Sequence, residues 1–158
     1  MADKIITPGE ILSLVPQQKP FRFIDGISEV DDEHIVGTYR FHEDEYFYRG
    51  HFPGHPVTPG VILLETMAQT GVVAFGIYLL LKRGIDANRI NSMATLFTMA
   101  DTVEFNEIVH PGERVTVRGK KVYLRRGNLQ TKISMEKEDG QLACFGILTG
   151  KGVPFDET

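Results

Sequence analysis

Cysteine is almost missing from this sequence. Cys144 is the only one among 158 residues, which excludes an internal disulfide, and the absence of a CxxC pair removes the common zinc-ligand spacing. A basic excess is missing too. Lys plus Arg number 17 against 21 Asp plus Glu, for a net charge of −4. A general nucleic-acid binder normally carries the opposite balance. No Pro-, Gly- or Ser-rich linker divides the chain, and it has no internal repeat or low-complexity run. With 42% hydrophobic and 24% charged residues, the composition is globular, and disordered, collagenous and disulfide-stapled classes are excluded. Residues 1–158 read as a single domain. The opening MADKIITPGE lacks the apolar core of a signal peptide, so a cytoplasmic location is expected.

What the chain does have is unevenly placed. The segment Val61 to Leu81 is apolar almost throughout. Thr58 before it is a candidate cap and Pro59 suits a first helical turn; Lys82, Arg83 and Gly84 suit a C-terminus. Its length would cross a bilayer. Glu65, Thr66, Gln69 and Thr70 lie near one end, however, and basic residues flank the other end only. A carboxylate in a lone span is costly, and the segment reads instead as a buried helix of a soluble protein, without a membrane span. The rest is mostly strand-like. After a short helix over residues 8–15, started by Thr7-Pro8-Gly9-Glu10, strands are predicted at Phe21–Asp25 with Ile27–Val30 and at His34–Phe41. Later ones follow at Met93–Phe105 with a break near Asp101, at Arg114–Leu124 with a bulge at Gly119, at Leu129–Met135 and at Gln141–Thr149. Arg126-Gly127-Asn128 and Asp139-Gly140 supply turns, and Val153–Thr158 reads as a loose tail. One long helix with about six mostly antiparallel strands is an α+β pattern. A helix apolar nearly all round has to be covered on most sides, as a curved sheet would do.

The chemistry concentrates just before that helix, in Tyr46-Phe47-Tyr48-Arg49-Gly50-His51-Phe52-Pro53-Gly54-His55-Pro56-Val57-Thr58-Pro59-Gly60-Val61. Prolines restrict this loop and hold His51 in place. The Gly60 and Val61 N–H groups belong to the first helical turn, where the dipole is positive and a carbonyl oxygen or enolate is stabilised. Glu65 lies further along among Val61, Ile62, Leu63, Leu64 and Met67, which should raise its pKa and make it a proton donor near neutral pH. A histidine base, a carboxylic acid and an oxyanion-binding helix start suit proton abstraction beside a carbonyl with loss of a β-hydroxyl. His51 and His55 are spaced like metal ligands, but Pro53 and Pro56 oppose a helix that would pair them, and no metal site is assigned.

The run Gly50 to Val61 with Glu65 resembles the signature of the FabZ-type (3R)-hydroxyacyl-[acyl-carrier-protein] dehydratases. Leu14-Val15-Pro16 with Pro20-Phe21-Arg22-Phe23-Ile24-Asp25, and Asp101–Phe105 with Val109-His110-Pro111-Gly112-Glu113, extend the likeness over about residues 10–150. The resemblance implies a hot-dog fold, a curved antiparallel sheet around one long central helix. It implies His51 as the catalytic base, Glu65 as the acid and the Gly60 N–H as donor to the thioester carbonyl, with no metal or redox cofactor. Glu65, where related dehydratase-isomerases have aspartate, implies dehydration without isomerisation. The histidine and acid of one site would come from different subunits, so the resemblance implies a homodimer, with a trimer of dimers as the family's usual larger assembly. Three positions depart from the pattern. Thr58 stands for a methionine and gains a capping role, Arg49 stands for a common glutamine, and Leu96 stands for a tyrosine that gates the acyl tunnel.

Phe52, Val61, Leu96 and Phe97 are candidate walls for an acyl chain. The implied partner, acyl carrier protein, is acidic, so its docking calls for a local basic patch. Lys120, Lys121, Arg125 and Arg126 form the densest one, with Lys82, Arg83 and Arg89 elsewhere. Other readings are a dehydratase of a specialised polyene or polyketide pathway, a hot-dog acyl thioesterase and a non-catalytic acyl-binding subunit.

Overall fold

The structure is a computed structural model that describes residues 3–158; the first two residues of the stretch read above as lacking a signal core lie outside it. A helix at Pro8–Leu14 (α1) is capped by Thr7, whose hydroxyl accepts from the Glu10 N–H at 3.2 Å. Six strands follow around one long helix. They are β1 Gly26–Val30, β2 His34–Arg40, β3 Met93–Phe105, β4 Arg114–Arg125, β5 Asn128–Lys137 and β6 Leu142–Pro154. They form one antiparallel sheet in the order β1-β2-β4-β5-β6-β3, which leaves β1 and β3 as its edges.

The central helix runs from Gly60 to Lys82 and changes pitch on the way. It is an α-helix over Gly60–Ala68 (α2), a π-helix over Gln69–Ala74 and an α-helix again over Phe75–Lys82 (α3). Every residue of the π segment is buried, and this segment touches β2, β4, β5 and β6. The helix is long and apolar enough to cross a membrane, yet 72% of its most apolar 18-residue stretch is buried inside the protein. It is the core helix of a soluble fold. Its end is a Schellman motif. Gly84, at φ +80°, donates to the Leu81 carbonyl, and the Ile85 N–H reaches back to Leu80.

Close contact between helix and sheet depends on glycines. A Cβ at Gly37 of β2 would meet the Thr70 side chain at 2.8 Å, one at Gly119 of β4 would meet the Gly71 Cα at 3.3 Å, and one at Gly150 of β6 would collide with Val72. Strands β2, β4 and β6 thus set one glycine each against three successive residues of the π segment. Gly119 is therefore not the predicted bulge. Its pairing is regular, and the irregularity of β4 falls between Lys121 and Tyr123.

Other expectations also change. Phe21–Asp25 is not a strand, because the Gln69 side chain takes up its backbone groups, accepting from the Phe23 N–H at 2.6 Å and donating to the Phe21 carbonyl at 2.9 Å. Thr58 does not cap the helix, which has no side-chain cap; its hydroxyl lies 2.7 Å from the Tyr48 hydroxyl instead. The tail is not loose through Pro154, since Val153 and Pro154 pair with Ala94 and Met93 of β3. A short helix at Ala87–Asn91 (α4), capped by Asp86, had not been predicted. The predicted break in β3 is present, with register shifts at Phe97–Met99 and Asp101–Glu104 and Thr102 at φ +50°.

Candidate active site

The loop before the central helix is built by its own backbone. Pro53-Gly54 makes a tight turn, closed by hydrogen bonds in both directions between Phe52 and His55, with Gly54 at φ +76°. The exposed His55 serves this turn through its main chain. His51 is tied twice to Val57. Its carbonyl accepts from the Val57 N–H at 2.9 Å, and its Nδ1 lies 2.9 Å from the Val57 carbonyl. A carbonyl can only accept, so Nδ1 carries a hydrogen, which in the neutral imidazole leaves the lone pair on Nε2. The imidazole also stacks on Phe52, with ring centroids 4.2 Å apart. The ring is thereby held in one orientation.

Thr58 continues the loop, its N–H bonded to Val109 at 2.9 Å, and the helix begins two residues later. Ile62 and Leu63 both turn their N–H groups back to the Pro59 carbonyl. Gly60 and Val61 are then the first-turn residues whose N–H groups bond nothing among the described residues. A Cβ at Gly60 would sit 3.2 Å from the Phe105 ring, which would then have to give way.

Glu65 follows on the same helix, half-buried. Burial raises its pKa above the ordinary carboxylate value, and a hydrogen bond from Gln69 Nε2 to its Oε1, at 2.9 Å, pulls the other way. The Gln69 amide therefore holds three partners at once, Glu65 and the backbone of Phe21 and Phe23. Gln69 stood out in the sequence only as a polar residue on an apolar helix; its distant partners left no local signal. Glu65 lines a small cleft with Gln17, Ala68, Val72, Thr95 and Phe97. Beyond Val72 and Thr95, a second, apolar cavity continues between the helix and the sheet, past Ile77, Met93, Leu129 and Gly150.

His51 does not line the Glu65 cleft. Of the expected acyl walls, Phe97 does, whereas Leu96 does not and is 45% exposed on edge strand β3. Val61 and Phe52, at 73% and 54%, are exposed at the helix start. The basic clusters come together more than their spacing suggested. Arg83 Nη2 lies 3.5 Å from the Leu124 carbonyl, so the Arg125-Arg126 hairpin sits at the C-terminal end of the central helix, beside Lys82 and Arg83. Lys120 and Lys121 lie further along β4. Lys120 is paired with His34, and the Lys121 ammonium is 3.2 Å from Glu33. Arg49 ends a 3-10 turn at Tyr46–Arg49. Cys144 is fully buried and its thiol is pushed up to about 12, which disqualifies it as a nucleophile. Among the described residues no cluster of three or more His, Cys, Asp or Glu could hold a metal ion.

A family profile described as the FabA-like domain matches residues 15–144. The chain belongs to the FabA-like family. Within it, the chain is 35% identical over 140 residues to a protein of Roseiflexus castenholzii named 3-hydroxyacyl-[acyl-carrier-protein] dehydratase FabZ, covering 88% of this chain and 91% of that one. Equally named proteins of Streptococcus pyogenes and Caldicellulosiruptor bescii are 34% and 32% identical, with 94% and 93% of their lengths covered. The fold of this FabA-like protein also matches a subunit of the dehydratase heterocomplex ApeI:P of Xenorhabdus doucetiae. That match has a TM-score of 0.77 at 13% identity and covers 97% of this chain and 95% of that one. A thioesterase of Haemophilus influenzae gives 0.63 at 17% identity, covering 96% and 94%. The architecture is thus the hot-dog fold of dehydratases and thioesterases.

Proposed function

We propose that this chain is a hydro-lyase that converts 3-hydroxyacyl-[acyl-carrier-protein] to trans-2-enoyl-[acyl-carrier-protein] in fatty acid biosynthesis. The observation that carries the reading is His51, whose Nδ1–H is held by the Val57 carbonyl so that Nε2 is the nitrogen left for a substrate, on a chain that matches FabZ dehydratases over nearly its whole length. His51 Nε2 takes the C2 proton, whose acidity rises as negative charge moves onto the thioester oxygen. The N–H groups of Gly60 and Val61, with the helix dipole behind them, receive that charge. Glu65 gives its proton to the C3 hydroxyl, which departs as water. The acyl chain then extends past Val72 and Thr95 into the apolar cavity, with Phe97 at its mouth.

His51 does not line the Glu65 cleft of its own chain, which supports a site shared between two copies. The working unit is a homodimer in which each site takes His51 from one subunit and Glu65 from the other. Edge strand β3, with Leu96, Phe97 and Met99 exposed, is the surface that supports such pairing. A trimer of dimers is compatible with it. Acyl carrier protein, being acidic, docks on basic side chains, with Lys120, Lys121, Arg125 and Arg126 proposed. The cytoplasm is the location this chemistry calls for, and the whole chain works as one domain.

The test is turnover of a 3-hydroxyacyl thioester by wild type and His51→Ala, followed by enoyl absorbance. Loss of a general base predicts a fall of about 100- to 10,000-fold in kcat. Near-normal dehydration by the variant would remove the proposal. Free thiol released without enoyl product would mark a thioesterase, and binding without turnover a non-catalytic acyl carrier. A strong preference for polyene or polyketide intermediates would place the same site in a specialised pathway.

A further inference from the structure

A residue in the wall of the cleft beside Glu65 carries an acceptor with nothing to accept. Gln17, in the loop after α1, lines it, and its Oε1 is buried without a hydrogen bond. Only one other buried side-chain polar atom among the described residues shares that state, Thr131 Oγ1. Gln18 next door spends its amide on the Val15 carbonyl at 3.1 Å, and Gln69 is fully engaged. An unpaired buried amide oxygen is a stability cost that an apolar side chain of the same shape would avoid. The Gln69 amide also occupies Glu65 Oε1, which leaves Oε2 to carry the acidic hydrogen. The cleft and its wall therefore bring together one acidic hydrogen to give and one amide oxygen that needs a hydrogen. A hydroxyl group answers both demands, whereas a methylene, an alkene carbon or a carbonyl has no hydrogen bond to donate.

We propose that Gln17 Oε1 accepts the hydrogen of the substrate's C3 hydroxyl, turns that oxygen's lone pair toward Glu65 and so selects hydroxyacyl thioesters over their saturated counterparts. The proposal rests on Glu65 as the acid. The step balances without a change at Gln17. The C2–H bond breaks toward His51 Nε2, the C2–C3 double bond forms, and the C3–O bond breaks. The oxygen gains the Glu65 proton and leaves as water, still hydrogen-bonded to the amide.

The experiment compares wild type with Gln17→Leu and Gln17→Met, two apolar replacements of similar size. It measures kcat/KM for a 3-hydroxyacyl pantetheine thioester and the inhibition constant of the saturated thioester of equal length. Loss of one hydrogen bond aimed at the reacting group predicts about a tenfold or greater fall in kcat/KM. The inhibition constant stays within about twofold, because the saturated chain never used the amide. Melting temperature is equal to or above wild type in both variants. Unchanged kcat/KM overturns the proposal, and so does a parallel loss of both constants, which signals a merely structural role. Glu65→Gln is run alongside. Full activity there overturns the acid assignment and the Gln17 proposal with it, whereas an inactive Glu65→Gln beside an unaltered Gln17→Leu overturns the Gln17 proposal alone.

Discussion

At the scale of single residues, the surroundings of Glu65 bear both on stability and on the chemistry proposed for it. Burial raises its pKa above the ordinary 4.5, with Gln69 opposing part of the shift. The unfolded chain then gives up this proton at lower pH than the folded chain does. Between the unfolded and folded values, each rise in pH favours the unfolded state, so the stability contributed by the protonated carboxyl is lost as pH climbs through that window. Glu65→Gln keeps an acceptor for Gln69 Nε2 and carries no charge. Its melting temperature is expected to decline less than wild type's as pH rises from about 4.5 toward neutral, while dehydration is lost. Parallel melting curves for the two proteins would contradict this account. His51 and Glu65 could both be picked out as candidates, because a proline-braced histidine and a lone carboxylate on an apolar helix are local patterns. Gln69 was not legible as a strut, nor Gln17 as an acceptor, because their significance lies in residues far away along the chain. Thr58 was misread for a related reason. A threonine before Pro-Gly can cap a helix, but Tyr48 reaches its hydroxyl first.

At the scale of elements, the order of helix and strands followed from periodicity and turn chemistry. Arg126-Gly127 closes β4 onto β5 with both residues at positive φ, 51° and 76°, as a two-residue hairpin demands. Asp139-Gly140 does the same work between β5 and β6, Gly140 standing at φ +84°. What periodicity could not reveal is where helix and sheet touch. The π segment sets Thr70, Gly71 and Val72 against Gly37, Gly119 and Gly150, and a strand glycine looks alike whether it makes a bulge or a close approach. The two alternatives differ in consequence. A bulge glycine would tolerate alanine at moderate cost, whereas a Cβ at Gly119 meets Ile35 at 3.1 Å and the Gly71 backbone at 3.3 Å. Gly119→Ala is therefore expected to destabilise the fold by about 1–3 kcal/mol, with the larger Gly119→Val worse. Urea denaturation with an unchanged m-value is the measurement. A Gly119→Ala protein as stable as wild type would show that helix and sheet are not in the contact described.

At the scale of the whole molecule, the single chain has a complete core, whereas the site proposed for it draws on two copies. Its two buried clusters fill the space between helix and sheet, yet edge strand β3 exposes Leu96, Phe97 and Met99, and Val61 and Phe52 are open at the helix start. An apolar edge strand invites pairing with another chain, and a two-fold axis beside β3 would give both subunits the same surroundings. If His51 of one subunit serves Glu65 of the other, His51→Ala and Glu65→Gln homodimers are each inactive for complementary reasons. A mixed dimer has one site that lacks both residues and one that lacks neither. Unfolding the two variants together at equal amounts and refolding them should then restore roughly one quarter of the wild-type sites, since half the dimers are mixed and each holds one intact site. Refolding either variant alone should restore none. The outcome reads the partition of residues directly, because a site built within one chain would give no recovery at any mixing ratio. Recovery that rises with the product of the two variant concentrations, and disappears when either partner is left out, assigns the base and the acid to different subunits.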